Sequence, residues 1–185
     1  LAAFLRELSV WLPRRAYTLL YRGSRDGMTA AAFHGLCDGK GPTLVLVRCE
    51  EGWVFGGHAD ASWVSPPSGV YKMIGSGEAF LFSVTGPYTS APVRLPVKAD
   101  EADRALGCHA DCGPSFRAGL AACAGSMSPT DCFDKAGSCC YVGESWSCFD
   151  DVIGRGDDTL TGAKHFLPTD IEVYSITCAC DDSCK

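Results

Sequence analysis

Twelve cysteines are the residues of this 185-residue sequence best equipped for chemistry. They stand at 37, 49, 108, 112, 123, 132, 139, 140, 148, 178, 180 and 184, ten of them beyond residue 107. An even, dense set reads first as a disulfide framework formed in an oxidising compartment. Each bridge would add about 2–4 kcal/mol, chiefly by constraining the unfolded chain. The expected bridge partners are Cys108, Cys112, Cys123, Cys132, Cys139, Cys140, Cys148, Cys178, Cys180 and Cys184. Adjacent Cys139 and Cys140 bond poorly to each other, so they would staple two different segments. Cys37 and Cys49 lie in apolar surroundings and read as buried thiols.

Two other chemistries compete for the same side chains. Cys108-His109-x-x-Cys112 and Cys178-x-Cys180-x-x-x-Cys184 hold enough ligands for one zinc ion, although neither half has C-x-x-C spacing. A redox pair, Cys108/Cys112 or Cys178/Cys180, would need a thiolate of lowered pKa in an exposed, electropositive setting. The disulfide reading leads, and no metal or cofactor is predicted.

Much other chemistry is missing. Without Asn or Gln, a Cys-His-Asn set and N-glycosylation are both excluded. Gly143-Glu144-Ser145-Trp146-Ser147 lacks the last Gly of a nucleophile elbow. No Walker A loop, G-x-G-x-x-G or H-E-x-x-H occurs, and the four His, at 34, 58, 109 and 165, are scattered. Asp150-Asp151 and Asp157-Asp158 lack the pattern of a calcium loop and read as solvated acids. Arg155-Gly156-Asp157 is a short tripeptide match of little weight. No catalytic residue is predicted.

The elements around the cysteines follow from periodicity. Leu1, Phe4, Leu5, Leu8 and Leu12 form one stripe of a helix over about 1–12, ended by Pro13. Strands are expected over Ala16–Arg22, Thr43–Cys49, Trp53–Gly56, Ala79–Val84, Val93–Val97 and Asp170–Ile176. A turn falls at Ser24–Gly27, and Thr29 caps a helix running through Cys37. The elements of the Gly-, Ala-, Ser- and Cys-rich stretch 107–143 are not legible. On the last strand Asp170, Glu172 and Tyr174 share one face, and Ile171, Val173 and Ser175 the other. The Ile/Val face reads as core and the acidic face as a docking surface. The fold class is mainly β with flanking helices, as a two-sheet antiparallel sandwich.

Composition is globular, with 46% apolar and 21% charged residues. The net charge of −6 argues against nucleic acid as a partner. No apolar run approaches the roughly 20 residues of a membrane-spanning helix, so membrane association would be peripheral, through partners. The start at Leu1 reads as a processed end. With the cysteine load, it favours an organellar or other oxidising compartment, plastid or mitochondrial, over the cytosol.

The order of motifs resembles a known family. Leu19-Leu20-Tyr21-Arg22-x-Ser24-Arg25-Asp26-Gly27 is similar to the opening signature of the TLDc domain. Gly41-Pro42-Thr43-Leu44-Val45-Leu46-Val47 follows, then Val54-Phe55-Gly56-Gly57-His58 with Trp63. Ala79-Phe80-Leu81-Phe82-Ser83 and Gly113-Pro114-Ser115-Phe116 resemble later family segments. Ser145-x-Ser147-Cys148, Leu160 and Phe166-x-x-x-Asp170-Ile171-Glu172-Val173-Tyr174 resemble the closing one, with Tyr174 where the family often has Trp. The likeness covers roughly residues 11–176 within one domain spanning 1–185. The Cys-rich insertion at 108–148 and the tail at 177–185 depart from it. Gly27, Gly41, Pro42, Phe55, Gly56, Gly57, Trp63, Phe80, Phe82 and Glu172 are then structural positions, the glycines serving tight turns.

The resemblance implies a β sandwich and no catalytic residue. It implies a link to oxidative-stress resistance, and in several members binding of the vacuolar proton-pumping ATPase. The first functional expectation is a non-enzymatic protein-binding module, an accessory or stabilising subunit of a large organellar membrane complex whose other subunits are its partners. Regulation of the vacuolar-type ATPase and a thiol-based redox role are the alternatives.

Overall fold

The computed structural model describes residues 2–13, 15–116, 120–121, 138–140, 160–162 and 165–179. Helix α1, Ala2–Trp11, leads into strand β1, Arg15–Arg22, then α2, Gly23–Asp26, and α3, Ala30–Cys37. Strands β2, Thr43–Cys49, β3, Val54–Ala59, β4, Lys72–Ile74, β5, Phe80–Thr85, and β6, Val93–Pro96, follow. A 3₁₀ helix over Ala99–Arg104 precedes β7, Leu106–Cys108, and β8, Ser115–Phe116. The remaining strands are β9, Leu120–Ala121, β10, Ser138–Cys140, β11, His165–Phe166, and β12, Pro168–Cys178.

These strands form two six-stranded sheets, ordered β1-β12-β2-β3-β5-β6 and β11-β10-β9-β8-β7-β4. Every strand pairing within them is antiparallel. The long last strand lies between β1 and β2 and joins β1 to the rest of the first sheet. One apolar core joins the sheets, with Val45, Val47, Phe55, Leu81, Ile171 and Val173 from the first meeting Leu106, Phe116 and Phe166 from the second. This is the expected two-sheet sandwich with flanking helices.

Several local expectations hold. Thr29 Oγ1 accepts from Ala32 N at 3.2 Å and opens α3. Ile171 and Val173 are fully buried. Cys37 and Cys49 are buried free thiols, pushed up to about 12 and about 11 by burial.

Other positions differ. The turn expected at Ser24–Gly27 is the one-turn helix α2, closed by Gly27 N donating to Gly23 O at 3.0 Å. Gly27 and Gly41 do take positive φ, +99° and +77°, as turn glycines should. Gly56 and Gly57 instead lie inside β3, which runs past the expected end at Gly56. Close packing explains them. A Cβ on Gly56 would collide with Val45 O and stand 2.9 Å from Phe82 Cζ, and one on Gly57 would stand 2.5 Å from the Phe116 ring. On α1, Phe4 and Leu8 are buried, but Leu5 is 55% exposed and leaves the expected stripe.

Strand β1 carries a bulge between Leu19 and Tyr21. Strict alternation would put Tyr17, Leu19 and Tyr21 on one face. The extra residue turns Tyr21 into the inter-sheet core and aims Arg22 at its cross-strand neighbour Glu172. Tyr21 Oη then donates to Gly27 O at 3.0 Å.

Candidate functional site

The outer face of the first sheet, turned away from the second, is unusually apolar. Leu44, Phe80, Phe82 and Ile176 form a second buried cluster there with Phe4 and Leu8 of α1. Phe4 stacks on Phe82 at 5.3 Å between centroids, and Trp11 meets Phe80 edge-on at 5.8 Å. Phe80 and Phe82 therefore bury beneath the helix rather than between the sheets, while Leu81 points to the inter-sheet core.

Beside α1 this face opens into a groove of about 580 Å³. Leu5 stands at its mouth, and Leu46, Val54, Val84 and Tyr174 line it with Phe4, Leu8 and Leu44. Asp170 and Glu172 lie along its edge, which is the acidic face expected from the sequence. Both carboxylates already accept hydrogen bonds. Asp170 accepts from Ser24 N at 3.0 Å, Ser24 Oγ at 2.9 Å and Ile171 N at 3.0 Å. Glu172 pairs with Arg22 at 2.5 Å and accepts from Tyr174 Oη at 2.5 Å. Burial first, and the Glu172 carboxylate second, push the Tyr174 phenol up to about 12. The face is thus largely apolar, with Glu172 paired to Arg22 and the Asp170 carboxylate held by Ser24 at its edge.

A smaller cleft of about 240 Å³ lies at the other end of α1, between Trp11, Arg15, His58, Asp60, Glu78 and Arg94. Burial holds His58 down to about 4. Its Nδ1 faces Thr43 O at 3.2 Å, and its ring packs on Phe80 at 5.0 Å. His34 is also structural. Its Nδ1 meets Asp38 at 2.8 Å, and its Nε2 meets His109 O and Cys112 O, each at 3.0 Å, tying α3 to the 109–112 loop.

The expected chemistry of the cysteines finds little support among the described residues. Cys108 is a buried free thiol on β7, and burial raises its pKa. That opposes the lowered thiolate a redox pair would need there. Cys178, at the exposed end of β12, is a free thiol that meets Arg15 Nη1 at 2.7 Å. Cys112 is half-buried beside the His34 contact. Among the described residues no three His, Cys, Asp or Glu side chains converge as a metal would require. Cys139 and Cys140 fall on β10, while Cys123, Cys132, Cys148, Cys180 and Cys184 lie outside the described residues. So do the Arg155-Gly156-Asp157 tripeptide and the Asp150-Asp151 and Asp157-Asp158 pairs.

The structural positions named from sequence fare differently. Trp63 is buried and donates from Nε1 to Thr43 Oγ1 at 2.8 Å. Pro42 O accepts from Ile176 N at 2.9 Å and anchors β12. Phe55 is fully buried against Phe166, edge to face at 5.0 Å. Sequence reasoning did not single out Tyr17 and Arg48, which line the groove. The sequence signal of Arg48 is a charge in an otherwise apolar run, and Tyr17 carries none in the mixed strand β1. Equally unmarked in the sequence is an exposed apolar stretch at β4, an edge strand among the described residues, where Val70 and Tyr71 just before the strand and Met73 on it are each more than 40% exposed.

Comparison with known proteins agrees with this architecture. The MTOR-associated protein MEAK7 of Danio rerio is 32% identical over 68 residues. That match covers 37% of this chain and 14% of the relative's length. The TLDc domain matches over residues 2–177, nearly the whole sequence, and the chain therefore belongs to the TLDc domain family.

Proposed function

We propose that this chain is a non-enzymatic protein-binding module, an accessory or regulatory subunit of a larger protein assembly. The observation that carries this reading is the exposed apolar stretch Val70, Tyr71 and Met73 at β4, whose one described strand partner is β7. An edge strand offers backbone donors and acceptors that complement another strand. The occupant is accordingly an extended segment of a partner protein with apolar side chains at alternate positions. Family membership and a relative named for its association with MTOR support the reading. So does the state of the described side chains. Cys37, Cys49 and Cys108 are pushed away from thiolate by burial, and His34 and His58 are engaged structurally.

Native sizing in a mild extract of the source tests this. Migration at several hundred kilodaltons with a defined set of subunits is expected, and loss of that migration on Met73→Glu with the fold retained. A species near 20 kDa with no companion would overturn the reading. The narrower reading, regulation of a vacuolar-type proton pump, requires ATP hydrolysis or assembly to change when the protein is added. No effect at saturating protein would remove it.

A further inference from the structure

The groove beside α1 has the size of a small-molecule site, within the range of about 300–1,000 Å³. Its walls are apolar, from Phe4, Leu8, Leu44, Leu46, Val54 and Val84. Its polar groups divide sharply. The acceptors are occupied, Asp170 by Ser24 and Ile171, and Glu172 by Arg22 and Tyr174. Two groups are unused, a phenol that can donate or accept and a guanidinium that only donates. Tyr17 Oη is buried with no hydrogen-bond partner. The Arg48 guanidinium makes no hydrogen bond or ion pair among the described residues. Asp170 is its cross-strand neighbour but is drawn to Ser24. An apolar trough that ends at an unpaired guanidinium suits an apolar chain with an anionic, oxygen-bearing head at that end.

We propose that the groove binds a single-chain amphiphile with a carboxylate head, of the long-chain fatty acid class. Arg48 takes the carboxylate, because a planar guanidinium matches two carboxylate oxygens at once. The alkyl chain lies on Leu46, Val54 and Val84, beneath the flank of α1 that carries Leu5. The proposal stands apart from the protein-docking reading, which uses β4 on the other sheet.

Calorimetry of the purified chain with dodecanoate, dodecanol and dodecyltrimethylammonium, each kept monomeric, provides the test. Saturable one-to-one binding of dodecanoate is expected, at least about tenfold tighter than the other two. Arg48→Gln should weaken dodecanoate about tenfold and leave dodecanol unchanged. Leu5→Glu sits at an exposed position, so the fold should survive, and the added carboxylate should repel dodecanoate alone. Equal binding of the ammonium, or dodecanoate binding indifferent to Arg48→Gln, would overturn the proposal. Absence of binding, with footprint protection of Leu46 and Val84 in the native assembly, would overturn it too and give the groove to a protein partner.

Discussion

The two faces of the first sheet use the same kinds of residue to different ends. On the inner face Val45, Val47, Phe55, Leu81, Ile171 and Val173 are sealed by a second sheet of comparable breadth. On the outer face Leu44, Leu46, Phe80, Phe82 and Val84 are no less apolar, but their cover is the ten-residue helix α1. Six strands about 4.8 Å apart span about 24 Å, whereas a helix with its side chains is about 10–12 Å wide. One helix therefore cannot close the face, and the groove is what it leaves open. Tight cover yields a core, and incomplete cover yields a binding surface.

The largest test of this contrast is on the inner face. Phe55→Ala should cost about 4 kcal/mol of global stability, because a sheet-on-sheet core cannot collapse into the hole. Urea unfolding of the whole domain reads it. Phe4→Ala removes the same side chain from the outer cluster and should cost about 3 kcal/mol. Its signature should be local, with hydrogen-exchange protection lost in α1 and retained in β2, β3 and β12. Equal loss throughout would show that the helix and sheet are one cooperative unit and break the contrast.

A third test uses pH. His58 lies on the outer side, packed on Phe80, and titrates near 4 when folded against an ordinary 6.5. Between those values the unfolded chain binds the extra proton. The stability that neutral His58 contributes is complete above 6.5 and declines as pH falls toward 4. Moving from pH 7 to pH 5 should cost about 2 kcal/mol through this group. His58→Phe should flatten that part of the urea-midpoint profile. An unchanged profile would mean that this end of the outer cluster admits water.

The smallest effect expected is at the groove edge. Glu172→Gln should lower the Tyr174 pKa from about 12 part of the way toward 10.0, since burial remains and the carboxylate is lost. Spectrophotometric titration of the phenol checks this. A full return to 10.0 would show that Tyr174 is open to solvent, and the groove wider than described.

Much of this was legible from short-range pattern. The Thr29 cap, the continuous apolar run of β2, and the alternation of Ile171 and Val173 against Glu172 and Tyr174 are local facts that backbone geometry translates directly. Gly56 and Gly57 are legible by residue type but not by cause. Their need arises from Phe82 and Phe116, 26 and 59 residues away in sequence. The cysteines drew attention by number, yet Cys108 depends on burial that no spacing reports.

By itself, then, the sequence determined several of the elements outside 107–143, the order of the family's motifs and the absence of familiar catalytic signatures, because these are written in neighbouring residues. Only the tertiary structure decided where those elements face. The bulge near Leu20 turns Tyr21 inward and Arg22 toward Glu172, which alternation alone would have reversed. The position of α1 buries Phe4 and leaves Leu5 at the mouth of a groove. The Arg22–Glu172 pair offsets one charge of a face that reads as acidic in one dimension, and Ser24 holds the Asp170 carboxylate by hydrogen bonds. Each outcome depends on partners far along the chain, and contacts at that range are made by packing rather than by local pattern.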